Sequence, residues 1–445
     1  MPPIVALVMC LGFVIFLLRI DYKQVPKMSL ALWLPTIWIL IAASKPLGVW
    51  FPFTSRVEDV TSSPLDQATL LILFSLGLLV IVRRKLKWLN IVRKNVWLIV
   101  FVYFLFLSIF WSDIPFISFK RWIREVIAVL MALVMLSEQN PQRAMQAILR
   151  RTAFILIPFS LLLIKYFPTR GVEYGRWSGD IMWIGVTMQK NGLGRLCMIS
   201  AFFLIWTFIK RWQGLDRAVV KYQTYAELLV FALTLRLLVG PTLQAYSASA
   251  VMAFLAGLMA FFVLFWMKKS KVDMRAIPFE LVIVIVIFFG VVSVFEGGLA
   301  TSDITGALGR DGTLTGRTEV WANLLPVATQ RIILGHGFGA FWTNTSRMNF
   351  EISDAHSGYL DVMLETGIMG LFLISVFIIS SCRKAQSLLY TDFYWASLWI
   401  VFLLMLVVHN VAETSLNTLT SHMTASVMFM AVISSSMKSD SNMRL

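Results

Sequence analysis

Apolar runs dominate this chain, and polar residues are confined to the gaps between them. Thirteen runs read as helices crossing or entering a bilayer: residues 3–20, 29–45, 65–82, 96–112, 122–136, 151–167, 192–209, 225–240, 248–267, 278–295, 367–382, 394–410 and 423–437. About 30 Å of hydrocarbon must be crossed, and an open sheet cannot satisfy its backbone there. Several runs are short, so twelve to fourteen spans are expected. The pattern predicts an all-α polytopic membrane protein. The first run has no basic residues ahead of it and no small-residue cleavage site after Leu18, so it is expected to stay as a membrane helix.

One long interruption breaks this pattern, from Glu296 to Thr366. Within it, Val320, Leu324 and Val327 fall at helical spacing and predict a helix over 318–329, with Pro326 inside it. Gly335-x-Gly337-x-Gly339 predicts a tight turn. Asp354 reads as an N-cap for a helix through Leu360 and Leu364, which would put His356 in that helix's first turn. Gly367 then opens the next apolar run. The chain thus divides into a helix bundle (1–295), a large polar loop (296–366) and C-terminal membrane helices (367–445).

Composition agrees with the pattern: 58% of residues are apolar and the mean hydropathy is +0.77, values that exclude an ordinary soluble globule. The net charge of +15 first suggests nucleic acid. Sorting the charges by alternate connections removes that reading. The excess falls on the set holding Arg83-Arg84-Lys85, Lys210-Arg211 and Lys268-Lys269, and the other set is nearly balanced. Basic enrichment of cytoplasmic loops is an orientation signal. The three longer connections, 51–64, 165–191 and 296–366, then face outward. Cys10, Cys197 and Cys382 lie in or at the ends of spans and offer neither a disulfide framework nor metal-ligand spacing.

The outward loops carry the candidate chemistry. His356 is the first choice for a general base, because imidazole titrates near neutrality and Ala355, Ser357 and Gly358 leave space beside it. An interfacial histidine at a helix start is the plainer reading. His336, between turn glycines, is the weaker candidate and reads as a solvated loop residue. Arg317, Arg176 and Arg170 are candidate anion clamps, since a guanidinium keeps its charge and presents a planar fork to phosphate oxygens. Alternatively they pair with acids such as Glu173, Asp180 or Glu319. Asp361 and Glu365 share a helix face with Ser357, and serve either as supporting carboxylates or as polar packing against other loops. The glycine turn lacks the preceding strand and following Lys-Ser/Thr of a nucleotide loop.

At these residues the chain resembles the superfamily of O-antigen ligases and Wzy-type O-antigen polymerases, and among them exopolysaccharide polymerases of the succinoglycan type. The matching elements are Gly316-Arg317-Thr318 with Trp321, Gly335-His336-Gly337-Phe338-Gly339, and His356 followed by ten residues and Gly367. Ser63-Pro64-Leu65-Asp66, Trp111-Ser112-Asp113, Arg176-x-x-Gly179 and Lys190-Asn191-x-x-Gly194 match further upstream. The resemblance implies a bacterial inner-membrane glycosyltransferase acting at the periplasmic face on an undecaprenyl-diphosphate-linked donor. It implies inverting transfer with no metal and no cofactor, the diphosphate held by Arg176 and Arg317, and His356 assisting the acceptor hydroxyl. The acceptor is a second lipid-linked glycan for a polymerase, the favoured reading, or lipid A-core for a ligase. Membrane lipids surround such an enzyme, and chain-length regulators or export proteins are conceivable partners. A transporter or flippase of lipid-linked glycans, or a non-catalytic scaffold, is the competing class. The lack of an internal repeat and of midplane charges disfavours transport.

Overall fold

The computed structural model describes residues 1–24, 28–51, 63–175, 179–215, 221–274, 276–296 and 317–436. Each of the thirteen apolar runs is helical over most of its described residues. Among the described residues, seven helices are long and apolar enough to cross a membrane, or eight if the pair Trp88–Lys94 and Val96–Trp111, bent by 84°, counts as one span. Leu30–Ala42, Phe279–Phe295 and Phe393–His409 are apolar but shorter. The full-length spans are thus fewer than the apolar runs, because several runs fold as helices of only about three to five turns. The fold is that of an all-α polytopic membrane protein. Among the described residues the sole sheet is one antiparallel hairpin, Val172–Tyr174 with Ile181–Trp183.

The chain forms two compact units. The first comprises residues 1–87, 127–258 and 425–438, and its hub is the helix Pro141–Tyr166. Against this hub pack Pro3–Gln24, Trp33–Ala42, Lys190–Trp212 and Lys221–Val239. Buried charges join four of these helices. Arg150 and Arg151 reach Asp21 at 3.2 and 2.6 Å, while Arg211 pairs with Glu227. A charge taken out of water must be paired in this way. Elsewhere Ser63 caps the helix Pro64–Arg83 by accepting from the Asp66 N–H, and Asp66 in turn accepts from the N–H groups of Leu47 and Gly48. The Ser-Pro-Leu-Asp motif is therefore an N-cap whose aspartate also ties down the preceding loop.

The second unit comprises the described residues within 88–126 and 259–424, with Gly358–Ser387 as its hub. Val96–Leu107, Phe279–Phe295, Arg317–Gln330 and Phe393–His409 pack on it. The helix expected over 318–329 runs from Arg317 to Gln330 with Pro326 inside. Its apolar face, Trp321, Leu324 and Ala328, joins Phe341, Trp342, Ala355, Leu360 and Leu364 in a buried cluster. That cluster gives the polar loop a core of its own. Gly367, non-helical with φ 65° and ψ −167°, separates two helical segments, 358–366 and 368–387, and so stands where the next apolar run opens.

Candidate active site

The break at Gly367 is where the glycine turn docks. A non-helical residue inside a helix frees amides and carbonyls that must find other partners. Here the Ile368 and Met369 N–H groups donate to the carbonyls of Ile332 and Ile333, and the carbonyls of Leu364 and Glu365 accept from His336 and Gly337. So close an approach of two backbones leaves no room for side chains. A Cβ on Gly335 would overlap the backbone of Glu365, and one on Gly367 the carbonyl of Ile333. Both glycines also have positive φ. The turn is held from its other side by Asp113, which accepts from Arg331 at 2.8 Å and lies 3.2 Å from His336 Nδ1. Partial burial pulls the Asp113 pKa upward, but the hydrogen bonds and charges of Arg331 and His336 outweigh it and hold the carboxyl below its ordinary range. His336 is only 15% exposed. It is a staple within the fold rather than the solvated loop residue expected from its neighbours.

His356 sits at the opposite end of the same half-helix. The expectation that it lies in the first helical turn, capped by Asp354, is corrected. The N-cap is Ser357, whose side chain accepts from the Leu360 N–H, and the helix starts at Gly358. His356 precedes it with a left-handed φ of 50°, an uncommon conformation for a residue with a Cβ. Asp354 stabilises that turn by accepting from the His356 backbone N–H at 3.1 Å. Neighbouring residues are fixed just as firmly. The Ala355 carbonyl accepts from Trp321 Nε1 at 2.9 Å, and the Gly358 N–H donates to the carbonyls of Asn410 and Glu413. A side chain at 358 would strike Asn410.

The ring of His356 lies between two carboxylates. Its Nδ1 is 3.3 Å from Asp354 Oδ1 and 4.0 Å from Glu413 Oε2. Neither contact is a hydrogen bond, and Nδ1 is buried without a hydrogen-bond partner among the described residues. A proton placed there would face both carboxylates, which only accept, and would leave Nε2 as the acceptor. Glu413, 5% exposed, also forms an ion pair with Arg317, whose guanidinium donates in addition to the Ala412 carbonyl. Glu413 thereby draws together two residues singled out from the sequence, Arg317 and His356. The acid that pairs with Arg317 is neither Glu173, Asp180 nor Glu319. It comes from the loop after Phe393–His409, which the sequence reading passed over. With two donors of the guanidinium fork engaged, the others are uncommitted among the described residues.

Asp361 and Glu365 are buried rather than open to a substrate. Asp361 accepts from Trp342 Nε1 at 2.7 Å, from the Ala355 N–H at 3.2 Å and from Thr414. Glu365 accepts from the Gly339 N–H at 3.2 Å and from Asn417 at 3.5 Å. They tie the half-helix to the glycine turn and to the last loop, in keeping with polar packing. Arg170 belongs to the other compact unit. It is exposed, at the foot of the hairpin, and its carbonyl accepts from the buried Lys45 ammonium. Arg176 lies outside the described residues.

Comparison with known proteins bears out the resemblance read from the motifs. Residues 233–375 match the family described as O-antigen ligase, a segment that includes Arg317, His336, His356, Asp361, Glu365 and Gly367. The chain is similar, within that class, to the exopolysaccharide production protein ExoQ of Rhizobium meliloti strain 1021, with 24% identity over 362 residues covering 76% of each chain. Both findings support a multi-pass membrane enzyme of polysaccharide biosynthesis.

Proposed function

We propose that this protein polymerises polysaccharide repeat units by transferring a glycan from a polyprenyl-diphosphate donor to a glycan acceptor at the outward face of the inner membrane. The observation that carries the reading is the placement of Arg317 and His356 on one carboxylate, Glu413. In the reaction, His356 Nε2 takes the proton of the acceptor hydroxyl as its oxygen attacks the anomeric carbon. The bond from that carbon to the diphosphate breaks, and polyprenyl diphosphate leaves with the electron pair. Arg317, already oriented, stabilises the charge developing on it. A single displacement of this kind inverts the anomeric centre. Arg170 and Arg176 are the candidates for further contacts to the diphosphate. Ligation to lipid A-core would use the same donor and the same residues, and differs only in acceptor. The resemblance to exopolysaccharide proteins favours polymerisation.

The test is incubation of the purified protein with a lipid-linked repeat unit, with and without added lipid A-core. A ladder of longer lipid-linked glycans is expected. Transfer to lipid A-core alone would make the protein a ligase, and no transfer to either would remove the enzyme reading. In the same preparation, His356→Ala should retain donor binding but slow transfer on the order of 10²–10⁴-fold. Arg317→Lys keeps the charge but loses the planar fork, so it should weaken use of the donor. Wild-type transfer by His356→Ala would reduce the histidine to a loop residue.

A further inference from the structure

The outer stripe of the N-terminal helix Pro3–Gln24 changes character along its length. Ile15, Phe16 and Leu18 give way to Arg19, Tyr22 and Lys23 within two turns, with Arg19 and Lys23 four residues apart on one side. Together with Ile20 and with Tyr222, which comes from Lys221–Val239, they line an open groove of about 520 Å³. The two ends of this groove differ in chemistry. One is apolar and the other doubly cationic, and two tyrosines complete the lining.

Among the described residues, no acid pairs with those cations. The acid nearest in sequence, Asp21, is 1% exposed and turned inward, where Arg150 and Arg151 consume both of its oxygens. Arg19 and Lys23 form no hydrogen bond or ion pair among the described residues, and both are exposed. Long basic side chains at a helix end lie along apolar surface with the charge toward water. Here, however, they flank a cavity with an apolar slot at one end and no carboxylate in its lining.

We propose that this groove binds one anionic glycerophospholipid of the surrounding bilayer, with its acyl chain along Ile15, Phe16 and Leu18 and its phosphate between Arg19 and Lys23. Two observations favour this occupant over a peptide or a soluble anion. The gradient from apolar to cationic parallels the amphipathic axis of a lipid, and the same groove is lined by two tyrosines, a residue type enriched at the headgroup layer. A soluble anion would leave the aliphatic half unused, and an uncharged lipid would leave both cations without a counter-ion.

Native mass spectrometry of the full chain, released from nanodiscs of mixed phosphatidylglycerol and phosphatidylcholine, tests this. Retention of one phosphatidylglycerol in preference to phosphatidylcholine is expected. Arg19→Gln with Lys23→Gln should weaken that retention by about 10–30-fold, the effect of two basic residues at a charged lipid surface. The control is Lys85→Gln with Lys87→Gln, two exposed cations outside the groove, which should leave retention unchanged. Equal loss in the control would mean general charge attraction and would overturn the site. So would equal retention of both lipids, or displacement of the bound lipid by inorganic phosphate alone. Glycan transfer is not read in this experiment, so its outcome is separate from the fate of the enzymatic proposal.

Discussion

At the scale of single residues, the carboxylates divide by what they touch. Glu413 contacts both Arg317 and His356 and is therefore a positioning residue for the proposed transfer. Asp361 and Glu365 contact indole, amide and hydroxyl donors of neighbouring loops, and their work is to hold those loops. Different substitutions separate these roles. Glu413→Gln keeps the shape but gives up the ion pair and the charge beside the imidazole. It should slow turnover on the order of 10²-fold, since small misplacements of reacting groups are costly, while the protein still binds donor and melts near the wild-type temperature. Asp361→Asn should do the reverse, losing about 1–3 kcal/mol of stability because one buried donor is left without an acceptor. Comparing donor affinity, turnover and melting temperature for both variants checks this division. A catalytic loss confined to Asp361→Asn, with unchanged melting, would exchange the two assignments. Nothing local in the sequence announces Glu413, which stands 96 positions from Arg317. The signal that was available is its place among the few outward acids, in a loop between apolar runs.

At the scale of elements, the two glycine motifs turn out to be halves of one contact. The turn Gly335-x-Gly337-x-Gly339 and the glycine eleven positions after His356 were legible as separate features, because positive φ and close approach leave local traces in sequence. Their meeting was not legible, since backbone hydrogen bonds between Ile332–Gly337 and the helix break depend on no side chain. The same holds for Trp111-Ser112-Asp113, whose aspartate staples His336 from 223 positions away. Gly335→Ala and Gly367→Ala should each cost about 1–3 kcal/mol, through strained φ and lost backbone pairing. Because both disrupt one interface, the double variant should be little worse than the poorer single one. Thermal melting of the four proteins in one detergent measures this, and full additivity would mean that the two glycines act independently. His356 should feel either change through the half-helix that starts beside it. The helix starts three residues later than a cap at Asp354 would have it: Ser357 takes the cap, and Asp354 serves the preceding turn instead.

At the scale of the whole molecule, helix positions followed from apolar runs alone, because burial in lipid constrains every residue of a span. Which side each connection faces rests on charge, and a direct measurement of sidedness decides whether the Arg317–Glu413–His356 cluster acts on an outward substrate. Met348 is 77% exposed within the polar loop, and Lys85 is exposed in the basic set. In a background with Cys10, Cys197 and Cys382 replaced, Met348→Cys should react with an impermeant thiol reagent in intact spheroplasts. Lys85→Cys should react only after lysis, as the excess of Lys and Arg in its connections requires. Of the native thiols, Cys197 and Cys382 are buried and Cys10 partly so, hence their replacement by alanine removes background without touching the polar loop. The opposite pattern, with Lys85→Cys labelled in intact cells and Met348→Cys protected, would put the cluster on the cytoplasmic side. There a donor whose sugar has already been carried outward could not reach it, and the proposed polymerisation at the outward face would have to be abandoned even if His356 and Arg317 proved essential.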